Sequence, residues 1–222
     1  MTSSTGTALR SPAGIRETTT TSFVTSRDGT RIGYRQVGEG PGVVVIHGAM
    51  ESGESHVELA RALAGSFTVY LPDRRGRGLS GPFGPGYSLR KEVEDVAALL
   101  DATGSHDIFG VSSGGIIALQ AALTLAAVER VAVFEPALSV DGSAPTAFLA
   151  RFDRQIAGGQ TAPALVTAMK AAEMGPPIFN AVPRGLLELL TRAMMGAEDR
   201  KASAEDVTMR KLAPTLHYDF QL

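Results

Sequence analysis

Val43-Val44-Val45-Ile46 is an unbroken β-branched run, with a Gly- and Pro-rich loop at residues 38–42 before it and His47-Gly48 after it. Four branched side chains in a row show no alternation, so neither face of such a strand can turn to water. This restricts it to the interior of a parallel sheet covered on both sides. Parallel neighbours need crossover connections long enough to hold a helix. The following residues supply them in a regular rhythm: a helix at 57–64 closed by Gly65, a strand at 67–71 closed by Pro72, and a helix after the Ser88 cap whose apolar face is Val93, Val96, Ala97 and Leu100. A strand at 108–111, a nearly all-apolar helix at 116–127 and a strand at 131–134 complete the series. Ahead of it, two strand patterns at 22–27 and 31–37 flank Asp28-Gly29, a pair favoured in hairpin turns. The expected fold class is α/β, a mostly parallel sheet with helices on both faces.

After Pro136 the rhythm changes. Residues 141–214 carry helical patterns and no buried strand. Phe148, Leu149, Phe152 and Ile156 form one expected apolar face, and Leu186, Leu187, Leu190 and Met194 another. Gly175-Pro176-Pro177 separates helices, and Ser203 with Asp206 predicts a capping box before the last one. The expected organisation is a disordered Ser/Thr-rich leader at 1–20, a core at 21–136, a helical insertion acting as a lid at 137–216, and a return towards the core at 217–222.

Charge and composition narrow the function classes. A formal net charge of -2 gives no reason to expect nucleic acid or an anionic membrane as partner. With no cysteine there are no disulfides, thiolate nucleophiles or zinc–cysteine sites. No apolar run approaches a membrane span, and the first 20 residues lack the apolar core of a secretory signal. The expectation is a cytoplasmic protein acting on a small molecule without metal or organic cofactor; the sequence leaves homo-oligomerisation open.

The strongest chemical signal is Gly110-Val111-Ser112-Ser113-Gly114, a G-x-S-x-G at a predicted strand-to-helix boundary. A nucleophile on so sharp a turn has a strained backbone, and side chains two positions away would collide, hence glycines at 110 and 114. The following helix aims free N–H groups at the reacting centre. Ser112, flanked symmetrically by the glycines, is the expected nucleophile rather than Ser113.

Together with two further motifs, this elbow makes residues 21–136 resemble the α/β-hydrolase superfamily. His47-Gly48-Ala49-Met50 is similar to the His-Gly-x segment that follows the buried strand in many members. The resemblance implies an oxyanion hole from the Ala49 and Ser113 backbone amides, with His47 and Gly48 structural. The stretch from Asp73 to Ser80 looks like the D-x-R-G-x-G-x-S loop of the same superfamily, and its arginines are read as loop-forming, not as a phosphate site.

Serine hydrolysis also needs a base and a carboxylate that orients it. In this superfamily the order is Ser, then acid, then His. Val133-Phe134-Glu135-Pro136 resembles the arrangement in members that place the acid after this strand, which makes Glu135 the candidate. Of four histidines, His106 starts the strand that ends at Ser112, roughly 20 Å away. His47 belongs to the oxyanion motif, His56 is expected at the surface, and His217 has the right order but falls at the end of the lid. The resemblance implies that the last strands, their helices and the histidine loop are absent from these 222 residues. The leading expectation is hydrolysis of an ester or related acyl compound through an acyl-enzyme on Ser112. The alternatives are a catalytically incomplete fragment or a non-catalytic binder of small apolar ligands, and peroxidase or carbon–carbon hydrolase chemistry on the same fold.

Overall fold

A computed structural model describes residues 19–139, 146–172, 181–204 and 206–222. The expected leader up to residue 18 and the Gly175-Pro176-Pro177 break lie outside the described residues. Six strands, β1 (Thr20–Thr25), β2 (Arg31–Val37), β3 (Gly42–Ile46), β4 (Thr68–Pro72), β5 (Asp107–Val111) and β6 (Arg130–Phe134), form one sheet in the order β1-β2-β4-β3-β5-β6. β1, β2 and β4 pair antiparallel, whereas β4, β3, β5 and β6 run parallel. Helices α1 (Val57–Leu63), α2 (Leu89–Thr103) and α3 (Ser113–Thr124) make the crossovers.

β3 lies between β4 and β5, and Val44, Val45 and Ile46 are buried, as the β-branched run requires. Val44 and Ile46 pack under α2 and α3 with Val96, Leu100, Ile117 and Ala121; Val45 joins Ala60, Val69 and Leu71 beneath α1. The two apolar layers hold the sheet from opposite sides. α2 ends as expected, with Gly104 in the left-handed conformation at φ +65. The Asp28-Gly29 hairpin closes through a wider turn than a two-residue one. The Ser26 amide donates to the Thr30 carbonyl at 2.8 Å, with Gly29 at φ +84. β6 is the edge strand: among the described residues it pairs with β5 alone, and all five of its residues are exposed.

Helices α4 (Leu149–Ala157), α5 (Thr161–Ala171), α6 (Arg184–Asp199), α7 (Met209–Leu212) and α8 (Leu216–Asp219) follow the sheet. Phe152 is buried with Ala164, Ala168 and Leu216, and Phe148 and Ile156 pack against them, as their spacing predicts. Two expectations need correction. α6 buries Leu187 and Met195, while Leu186, Leu190 and Met194, from the expected face, are exposed together with Leu189. The reason is that α6 is apolar on more than one face, and the one turned inward goes with contacts to other elements, among them those of Arg184 with the Pro163 carbonyl and Thr167 Oγ1 on α5. The second concerns Ser203. Its amide donates to Asp206 Oδ2 at 2.7 Å, so half of the capping box exists, but it closes a turn. The next helix starts at Met209 and is capped by Thr208, whose side chain accepts from the Lys211 amide.

Leu187→Ala should therefore cost about 2–5 kcal/mol in chemical denaturation, as expected for truncating a buried leucine. Leu190→Ala should change stability by less than about 0.5 kcal/mol. Equal losses would show that the α6 face is assigned wrongly.

Candidate functional site

The site is built where β3, β5 and β6 end. Three non-glycine residues among those described have positive φ, and each follows one of these strands: Met50 (+57), Ser112 (+51) and Glu135 (+45). Such conformations cost on the order of 1–3 kcal/mol each and persist only where packing enforces them. At Ser112 the enforcement is visible. A Cβ at Gly114 would collide with the Ile46 and His47 carbonyl oxygens, and one at Gly110 would stand 2.5 Å from the Gly114 oxygen and 2.7 Å from Ala118 Cβ. The glycines two positions either side of Ser112 thus let α3 start directly against the end of β3. The Ser112 amide donates to the Phe134 carbonyl at 3.0 Å, which ties the turn to β6.

Ser112 is half-buried, and no described residue hydrogen-bonds its hydroxyl. Ser113 supplies the first N–H of a 12-residue helix, which has no acceptor within the helix. Among the described residues the Ala49 amide has no acceptor either. Ser113 follows Ser112 in the chain, and Ala49 follows Gly48, where an added Cβ would stand 3.1 Å from Ser112 Cβ; the α3 N-terminus carries partial positive charge at the first of these amides.

His47 is fully buried. Its Nε2 accepts from the Arg74 amide at 3.1 Å, so Nδ1 carries the proton and donates to the Gly48 carbonyl at 2.9 Å. Burial, followed by the charges of Arg77 and Arg74, drives its pKa well below the ordinary histidine value. It is a neutral tie between the loops after β3 and β4, with no nitrogen left for catalysis. His106 bonds the Ala127 carbonyl at the opposite end of β5. His217 Nδ1 pairs with Asp153 Oδ1 at 2.9 Å, and its Nε2 lies 2.7 Å from Gln221 Nε2. His56 is a correction: its side chain is only 12% exposed, and its Nε2 lies 3.1 Å from Glu51 Oε2. Glu51 in turn accepts from the Gly48 amide at 2.7 Å. Glu135 stands exposed at the end of β6, one residue beyond the strand whose last carbonyl holds Ser112.

The loop after β4 behaves as its motif implies. Asp73, fully buried, accepts from the Gly53 and Leu79 amides and from Arg35. Arg75 forms a bidentate pair with Asp95 at 2.7 and 2.6 Å. What the motif does not show is the buried network around Arg74. This guanidinium bonds Glu92 Oε1 at 2.8 Å, Asp219 Oδ1 at 2.9 Å and Ser113 Oγ at 3.1 Å. Burial alone would lower its pKa, but Glu92 and Asp219 more than reverse that and hold it charged. Asp219 also accepts from Arg77 Nη2 at 2.5 Å and from Ser113 Oγ at 3.1 Å. The residue next to the elbow serine is therefore gripped from α8, more than 100 positions away. Asp219 was missed because nothing in the local sequence pairs it with residues 74–77.

Ala49 and Met50 pack against the buried cluster of Phe152, Ala164, Ala168 and Leu216, as do Phe148, Leu165 and Phe220. A larger concavity of about 1210 Å³ lies between β1, α2 and α3, and its lining includes neither Ser112 nor either motif amide. No group of three or more potential metal ligands stands together among the described residues. No helix there is long and apolar enough to cross a membrane.

Residues 43–219 match the model of the alpha/beta hydrolase family. An alpha/beta hydrolase of solved structure from Sphaerobacter thermophilus is 36% identical over 89% of this chain and 72% of its own, with a TM-score of 0.71. A non-heme haloperoxidase of Rhodococcus erythropolis is 33% identical over 96 residues, 42% of this chain and 35% of the relative. A cis-3-alkyl-4-alkyloxetan-2-one decarboxylase of Shewanella oneidensis is 34% identical over 80 residues, 35% of this chain and 25% of the relative. The match therefore spans about a third or less of these curated relatives' length.

Because His47 is held neutral, stability should fall as pH drops below about 6.5, where the unfolded chain takes up a proton that the folded one refuses. The slope from this one group is at most about 1.4 kcal/mol per pH unit. Thermal unfolding between pH 7 and 5 should show it, and His47→Gln should flatten it, since the other histidines are unchanged. An identical slope in both proteins would contradict a buried neutral His47.

Proposed function

This chain belongs to the alpha/beta hydrolase family, and we propose that it hydrolyses an ester or related small acyl compound through an acyl-enzyme on Ser112. The observation that carries this reading is the Ser112 backbone, φ +51 and ψ -120 between β5 and a helix N-terminus, held by glycine-dependent contacts. A strained serine at that junction presents its hydroxyl outward, beside amides free to receive charge.

In this reading a general base takes the Ser112 hydroxyl proton as Oγ attacks the acyl carbon, the carbonyl oxygen takes up the negative charge against the Ala49 and Ser113 amides, and the proton passes on to the departing group. One such donor lowers the barrier by about 2.7–4 kcal/mol in acyl-transfer enzymes. Collapse expels the leaving group, and water then releases the acid from Ser112. Glu135, at the end of β6 beside the elbow, is the carboxylate that would orient a base. Residues 137–216 act as the lid, and Phe148, Leu165 and Phe220 favour an apolar acyl or alcohol group. No metal or organic cofactor is required.

One observation favours a second reading, a small-ligand binder without turnover: among the described residues no imidazole is bonded to the Ser112 hydroxyl. An aryl fluorophosphonate separates the two. Labelling of the 222-residue chain should give a single adduct at Ser112 by intact mass and site mapping, absent from Ser112→Ala. Ester turnover should fall about 10³-fold or more in that variant. A folded chain that binds small apolar ligands, takes no label and is indifferent to Ser112→Ala would establish the binder.

A further inference from the structure

The elbow has a carboxylate beside it that the acyl-enzyme reading does not use. A Cβ at Gly48 would stand 3.1 Å from Ser112 Cβ and 3.2 Å from Glu51 Oε2, so the serine and the carboxylate converge on one point over the oxyanion loop. Glu51 is not a free surface acid. Its Oε2 accepts from the Gly48 amide and from His56, which fixes the carboxylate two residues from Ala49. Nor is it sealed in the core: 34% of its side chain remains accessible. Neither of these hydrogen bonds uses Oε1.

Its charge state follows from these contacts. The hydrogen bond from His56 holds the Glu51 carboxyl below the ordinary range, against the opposing effect of partial burial. A fixed anion therefore stands next to a site whose transition state also gathers negative charge. Two like charges at such separations repel by amounts that depend on local dielectric. A substrate carrying its own positive charge, or a strong hydrogen-bond donor, cancels that repulsion, and one carrying a carboxylate adds to it. The aromatic and aliphatic side chains that pack on the same buried cluster as Ala49 and Met50 suit the apolar part of the same molecule.

We propose that Glu51, positioned by the Gly48 amide and His56, is a specificity-determining subsite that selects small acyl substrates bearing an ammonium or similar cationic group. This rests on Ser112 marking the substrate site, and its test is made by binding, so that it does not depend on turnover. The probes are phenyltrimethylammonium and its neutral isostere tert-butylbenzene, titrated into the full chain and followed by NMR.

Wild type should bind the cation at least about tenfold more tightly than the isostere, the range of one carboxylate–cation contact. Glu51→Gln, which keeps an oxygen for the Gly48 amide, should bring that ratio close to one. Equal affinities in wild type, or a ratio unmoved by Glu51→Gln, would overturn the subsite even if Ser112 takes the fluorophosphonate label. Failure of labelling with the ratio behaving as stated would remove the hydrolase reading and leave the cation subsite standing.

Discussion

The close approach of α3 to the end of β3 is the contact on which the rest of the site depends. It exists because residue 114 has no side chain: any Cβ there would run into the Ile46 and His47 carbonyls. With α3 seated that close, the chain leaving β5 has a single residue in which to reverse, and Ser112 takes up the strain at φ +51. The same seating brings the first amide of α3 level with the loop after β3, where Ala49 offers the other. Glu135, at φ +45, makes the equivalent sharp exit from β6. Strain, free amides and the candidate nucleophile thus share one cause, which is steric and local.

Beneath this point lies a cluster of buried charge. Arg74, Arg77, Glu92 and Asp219 balance in sign and leave almost no surface to water. Such networks add little net stability, since desolvation offsets much of the attraction, but losing one member strands the others. Their contribution here is positional. Asp219 touches Arg74, Arg77 and Ser113, so the short α8 helix can dock in few ways. Arg77 Nη1 is buried without a partner among the described residues, and its guanidinium has a pKa lowered by burial and by Arg74. The aromatic stack of Tyr218 on Phe83, with centroids 3.6 Å apart, anchors the neighbouring residue of α8. Helices remote in sequence are thereby fixed to the loops that carry the candidate chemistry.

How much of this could be read from the chain depended on the range of the interaction involved. The β-branched run at 43–46, Gly104 at a helix end and the glycines around Ser112 act on their near neighbours, so their patterns carried over directly. The run at 131–134 has similar composition, yet its strand is exposed throughout, because burial depends on what lies across the edge of a sheet. Leu186, Leu187, Leu189 and Leu190 give α6 two apolar faces, and contacts made with other elements, among them those of Arg184 with α5 and of Glu198 with Met209, go with the face that is buried. His56 was read as a surface residue because its partner is set by a turn: the short helix Gly53–His56 folds it back onto Glu51. Asp219 was invisible for the opposite reason, its partners being far off in the chain. Local sterics were legible; pairings made by topology were not.

The elbow alone does not choose a reaction. Free amides beside a serine stabilise any oxygen that gains negative charge, whichever bond is breaking, and relatives of this chain bear names as different as haloperoxidase and decarboxylase. What differentiates such sites is the group that takes the proton and the field around the developing charge. Here the field has a definite asymmetry. The N-terminus of α3 begins at Ser113, and the Glu51 carboxylate converges with Ser112 on Gly48. On the proposed reading, the substrate's electron-rich oxygen turns towards the Ala49 and Ser113 amides and its cationic group towards Glu51. That polarity belongs to the backbone and to one short turn, so it would govern binding whether or not Ser112 turns a substrate over.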